Sequence, residues 1–137
     1  MRLLPTLLCL LPLAVHSQTA APVIVKGLRS ATDFDVEQQM ALTNHRIGGV
    51  RTVFVDCPAL YDRAGYYGAG GQDFADNADR FGILAAAALD YAAAERSHRP
   101  TIVHAHDWQA GLVPVLLRTQ PDRWPGVSRA GLVFTIH

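Results

Sequence analysis

The chain has 137 residues, half of them hydrophobic and 18% charged, with twelve basic residues balancing twelve acidic ones. That length allows one small domain with a real core, and the composition is that of a globular rather than a disordered chain. The balanced charge carries no bulk signature of a nucleic-acid or membrane-surface partner.

In residues 1–21, Arg2 precedes a run from Leu3 to Val15 that is apolar except for Thr6, and Val15-His16-Ser17 then offers small residues for cleavage. This reads as a short secretory signal peptide, or as a foreign or mis-assigned leader on a cytosolic domain, and it is too short to span a membrane comfortably. Cys9 lies inside it. Its removal leaves Cys57 alone, with no internal disulfide, which fits a reducing compartment.

Residues 22–48 read as linker or edge structure: Val23-Ile24-Val25 suits a short strand, Lys26-Gly27-Leu28 breaks it, and Asp33 to Thr43 has no clean period. Residues 49–137 are better patterned. Arg51 to Asp56 is a β-branched and aromatic run that stops at Cys57-Pro58, as a strand does. Gly65, Gly68, Gly70 and Gly71 predict a flexible loop carrying Tyr66 and Tyr67. Asp76-Asn77 stands at the cap position of a helix from Ala78 to about Arg96, whose Phe81, Leu84, Ala85, Ala88, Leu89 and Ala92 share one face. Thr101 to Val103 predicts a strand, Trp108 to Thr119 a helix with Pro114 in its early part, Pro121 to Arg129 a turn-rich loop, and Gly131 to Ile136 a last strand. Strand, helix, strand, helix, strand is the order of a parallel α/β sheet, and a chain that stops on a strand reads as a piece of something larger.

The chemistry gathers at Val103-His104-Ala105-His106-Asp107-Trp108. Ligands of open α/β sheets bind at the carboxyl ends of strands. Alternation puts His104 and His106 on one side if the strand reaches that far. Three readings stay open: a metal-dependent hydrolase using His104 and His106; a packed His104 satisfied by backbone, with Asp107 capping the next helix; and a functional His106 at the strand-to-helix switch.

The stretch Val103 to Leu112 resembles the strand–loop–helix motif of bacterial glycogen synthases and plant starch synthases. Three further segments are similar to that family in the same order: Phe54 to Arg63, Asp73 to Phe81, and Val133 to His137. Together they run from about Gly49 to His137 and make 49–137 a partial N-terminal catalytic domain. The resemblance implies one incomplete Rossmann-like half of a GT-B fold and a retaining glucosyltransferase. The implied partners are ADP-glucose as donor and the non-reducing end of an α-1,4-glucan as acceptor, with no metal or other cofactor, no nucleic acid and no membrane. It implies that His106 lies beside the transferred glucose and that Asp76 and Asn77 bind substrate on the acceptor side of the cleft; His104 is expected to bind substrate with them. Tyr67 is placed with them as a glucan contact. An intracellular donor implies a cytoplasmic protein, or a secreted one if the leader is a signal peptide. Ala75 departs from the family's proline. Lys26-Gly27-Leu28 only echoes the family's Lys-x-Gly-Gly-Leu loop, so no lysine role is carried over. The second domain, which holds most of the nucleotide sugar, has no counterpart here, so the expectation is a parent enzyme of this family and an inactive fragment. The rival expectation is a non-catalytic glucan-binding remnant.

Overall fold

The computed structural model describes residues 2–5, 22–28, 31–96 and 99–137. The leader expected at 1–21 lies outside the described residues apart from β1 (Arg2–Pro5), which pairs antiparallel with β3 (Arg51–Asp56). Along the other edge of β3 lies β2 (Val23–Gly27), parallel to it, with Val23 opposite Arg51 and Gly27 opposite Val55. A second parallel pair joins β6 (Ile102–His106) to β7 (Gly131–Thr135). The expected α/β architecture with parallel strand pairing, a partial Rossmann-like fragment, is what the chain adopts.

The β-branched runs form the strands because their side chains are buried: Val53, Phe54 and Val55 in succession, on both faces of β3, and Val103 and Ala105 on one face of β6. Across them lies α3 (Asn77–Ala94), where Leu84, Ala85, Ala88, Leu89 and Ala92 recur at helical spacing and enter the main core. It packs on β2 and β3, on a 3-10 turn (Trp108–Ala110) and on α4 (Leu112–Thr119). Pro114 is accommodated in the first turn of α4, where its missing N–H costs nothing. The turn-rich loop after α4 is anchored rather than loose. Trp124 and Val127 are buried, and the Trp124 indole N–H donates to Asp90 of α3 at 2.6 Å.

Two expectations are corrected. Residues 22–48, expected as linker or edge structure, hold the edge strand β2 where Val23 to Val25 suits a strand, and beyond it an 18-residue helix, α1 (Ala31–Gly48), where the sequence shows no clean period. Its period was hard to read because its buried face includes a charge, Glu37, which meets Lys26 of β2 in a buried ion pair of 2.5 Å. Val36, Met40 and Ile47 meanwhile face outward. The glycine-rich stretch is not a flexible loop. It is a β-hairpin of β4 (Gly68–Ala69) and β5 (Gln72–Asp73), reached through the short helix α2 (Pro58–Tyr61). Gly70 and Gly71 form its two-residue turn, both with positive φ (61° and 80°), as primed hairpin turns require. A side chain at Gly68 would collide with the Gln72 carbonyl.

Replacing Leu89, which is fully buried in α3, by Ala is expected to cost about 2–5 kcal/mol, through lost burial and the cavity left behind. Ile47→Ala on the exposed side of α1 should change stability by less than about 0.5 kcal/mol. Urea unfolding of both variants checks the assignment of inside and outside.

Candidate functional site

The β6–β7 register sets His104 opposite Val133 and His106 opposite Thr135. Strand alternation then brings the two imidazoles together on one side, with centroids 4.1 Å apart. His104 Nε2 is hydrogen-bonded to Thr135 Oγ1 at 2.8 Å, so the half-buried ring is satisfied by a neighbouring side chain and not by backbone. Beyond His106 the chain turns sharply. Asp107 takes φ 56° and ψ 176°, the one positive φ among described non-glycine residues, and its N–H donates to Thr135 O at 2.8 Å. A side chain held in that region costs about 1–3 kcal/mol and persists only where surroundings enforce it.

That turn aims the Asp107 carboxylate at the end of β7. Oδ1 accepts the His137 backbone N–H at 2.8 Å, and Oδ2 lies 3.1 Å from His137 Nδ1. Asp107 therefore does not cap the following helix through its side chain, as the sequence suggested; no such bond is made. The His137 backbone and ring N–H groups hold the Asp107 carboxyl below its usual range. An ionised carboxylate only accepts, so His137 Nδ1 carries the proton. The His137 ring stacks on His106 at 5.6 Å and 15°. His104, His106 and His137 thus form a row of imidazoles across the carboxyl ends of two strands. Burial first, then His104 and His137, lower the His106 pKa, opposed by Asp107. Sequence spacing left His137 out, because it reaches His106 and Asp107 only through long-range parallel pairing. Among the described residues no group of three or more His, Cys, Asp or Glu side chains could hold a metal ion.

Two residues beyond His106, Trp108 begins an aromatic wall. Trp108, more than half exposed, meets Phe81 at 4.8 Å and Tyr67 at 5.2 Å, both edge to face; Tyr66 follows Tyr67 at 6.4 Å. Gln109 Nε2 donates to the Tyr67 hydroxyl at 2.6 Å. The Tyr67 carbonyl accepts the Phe74 N–H at 2.8 Å and Asn77 Nδ2 at 2.7 Å.

The expected substrate-binding pair, Asp76 and Asn77, is turned toward protein partners. Arg63 donates two parallel bonds to Asp76, at 2.7 and 2.5 Å, which keep that carboxyl below its usual range. Asp76 stands at the cap position of α3 but makes no side-chain cap bond. Asn77 Oδ1 accepts Arg80 Nη1 at 2.6 Å. Arg80 is buried; its Nε donates to Leu60 O at 2.8 Å and its guanidinium lies 5.1 Å from the Phe74 ring centre and 5.5 Å from that of Phe81. Burial lowers its pKa, with Arg63 adding to the effect. Arg63, Arg80 and Trp108 all lie inside motifs visible in the sequence, yet only their spatial partners reveal what they hold.

A sequence model of the starch synthase catalytic domain matches residues 11–137. The chain belongs to this family. The match runs through residues 22–48 as well as the motif-bearing part. The chain is 44% identical over 91 residues to a glycogen synthase of Koribacter versatilis, covering 66% of this chain and 18% of that protein. A glycogen synthase of Anaeromyxobacter dehalogenans strain 2CP-1 is 48% identical over 91 residues, 66% of this chain and 19% of the relative. One of Vibrio cholerae is 37% identical over 99 residues, 72% and 20% respectively. This starch synthase family chain spans about a fifth of the length of the curated relatives it matches.

The lowered His106 pKa makes stability pH-dependent with a definite sign. Unfolded, the imidazole protonates near its ordinary 6.5; folded, it does so only at lower pH. Between those points the unfolded chain binds more protons, so stability falls as pH drops below 6.5. Denaturant midpoints measured from pH 7 to 5 should show that decline in the wild type and a shallower one in His106→Gln. The carboxylates Asp76 and Asp107 act only lower, below about pH 4.

Proposed function

We propose that these residues form the acceptor-facing wall of an enzyme that transfers glucose from ADP-glucose, with retention, to the non-reducing end of an α-1,4-glucan. The observation that carries this reading is that the imidazole row at the ends of β6 and β7 runs within two residues into Trp108, whose exposed ring meets Tyr67. A glucan presents apolar ring faces between polar edges, which suits aromatic side chains backed by fixed polar groups. His106, biased toward its neutral form, can both donate and accept a hydrogen bond at a sugar hydroxyl. His104 flanks it from Thr135, and Asp107 orients the His137 ring through Nδ1, which leaves Nε2 turned away from that carboxylate. Holding a sugar in this way contributes to rate through orientation and through dipoles already aimed where charge develops.

The same reading puts the protein in the cytoplasm, where ADP-glucose is made, and calls for no metal or organic cofactor and no nucleic-acid partner. No helix among the described residues is long and apolar enough to cross a membrane. Nucleotide binding needs the facing half of the cleft, so these 137 residues are proposed to bind glucan without turning over donor.

A glycogen-primed assay with labelled ADP-glucose on the purified chain should show no incorporation above background. Turnover that vanishes in His106→Ala would overturn the proposed inactivity and strengthen the assignment of His106. In a longer protein carrying the donor half, His106→Ala should lower kcat at least about a hundredfold, the scale of losing one preorganised stabilising group.

A further inference from the structure

We propose that Arg80 and Asn77 are positioning residues that set Tyr67 against Trp108, so that glucan affinity depends on them without either touching sugar. The proposal rests on the aromatic wall being the glucan surface.

Asn77 and Arg80 are three apart in the first turn of α3 and share a face of it. The Asn77 amide lies between two groups with opposite demands. The Tyr67 carbonyl can only accept, and the Arg80 guanidinium can only donate. One amide orientation satisfies both, NH2 toward Tyr67 and oxygen toward Arg80. Arg80 cannot swing away, because it is buried, bonded to Leu60 O and enclosed by the Phe74, Phe81 and Tyr61 rings.

What this relay holds could not hold itself. The hairpin beyond Tyr67 has strands of two residues each, too short for independent stability. Tyr67 is fixed at its backbone by Asn77 and Phe74 and at its hydroxyl by Gln109. Removing the Asn77 donor leaves the Tyr67 carbonyl with the Phe74 N–H alone, inside the short hairpin, and the hydroxyl with Gln109.

Asn77→Asp separates positioning from general stability. The replacement keeps an acceptor for Arg80, now as an ion pair, and adds negative charge at a helix N-terminus, where it is favoured. It also sets an oxygen against the Tyr67 carbonyl in place of a donor. Isothermal titration of the full chain with maltoheptaose, melting temperature, and amide exchange at Phe74 are measured together. The expected result is an unchanged or raised melting temperature, faster Phe74 exchange, and affinity weaker by about five- to tenfold, the scale of one lost hydrogen bond. Added to Tyr67→Ala, Asn77→Asp should cause no further loss, as coupled positions behave in a double-mutant cycle. Wild-type affinity in Asn77→Asp, or a full additional loss in the Tyr67→Ala background, overturns the proposal; the second result would mean that Asn77 meets the sugar itself. A wild-type chain that does not bind maltoheptaose overturns the glucan reading and the proposal with it. That failure is distinguishable from failure of the relay alone, in which the wild type binds and Phe74 exchange is unaffected by Asn77→Asp.

Discussion

Helix α3 can lie close against the strands because four of its seven buried residues are alanine. Small side chains bring backbones together, and the area that such contact removes from water is the main stabilising term in a domain of this size. The seat matters here because, among the described residues, the parallel pairs β2–β3 and β6–β7 belong to separate sheets. Packing of α3 on β2 and β3, and on the turn and helix that follow β6, ties the two pairs into one core. The helix also delivers Asn77 and Arg80 from its first turn, so the element that organises the core also orients the aromatic wall.

The two halves of the site are held by different physics. The imidazole row depends on backbone pairing of β6 with β7 and on a strained residue, Asp107, whose conformation is sustained by bonds to Thr135 and His137. The aromatic wall depends on side-chain hydrogen bonds and on a guanidinium set among rings. A buried arginine is costly to desolvate and is retained only with its donors engaged. Arg80 meets that condition through a main-chain carbonyl and the Asn77 amide rather than through a carboxylate. Arg63 takes the nearby carboxylate, Asp76, in the parallel two-bond geometry natural to a guanidinium.

Much of the fold was legible in sequence because burial writes simple periods. The runs at Arg51 to Asp56 and Thr101 to Val103, and the alanine-rich spacing of α3, each obey one rule, although the second strand runs on to His106. Helix α1 was not legible, since an ion pair occupies its inner face where an apolar residue would have marked it. The hairpin at Gly70-Gly71 was read as mobile because glycine density signals freedom as readily as a demand for positive φ. At the site, His104 and His106 were visible as a pair because alternation is local. His137 and the partners of Asp76, Asn77 and Asp107 were not, because each is defined by a contact that closes only in three dimensions. Asp76 and Asp107 both looked like helix caps, and in both cases a stronger donor, Arg63 or His137, takes the carboxylate instead.

The alignment of β7 on β6 has a consequence for how the molecule matures. Side chains change face with every residue, so a slip of one position would turn Thr135 away from His104 and His137 away from Asp107. These contacts join residues about thirty positions apart, the separation at which chain closure is slow relative to local helix formation. The row of imidazoles is therefore absent from any collapsed species in which the helices have formed but the strands are out of step. Only completed long-range pairing assembles this row, so whatever it engages is withheld from misassembled chains without any separate checkpoint.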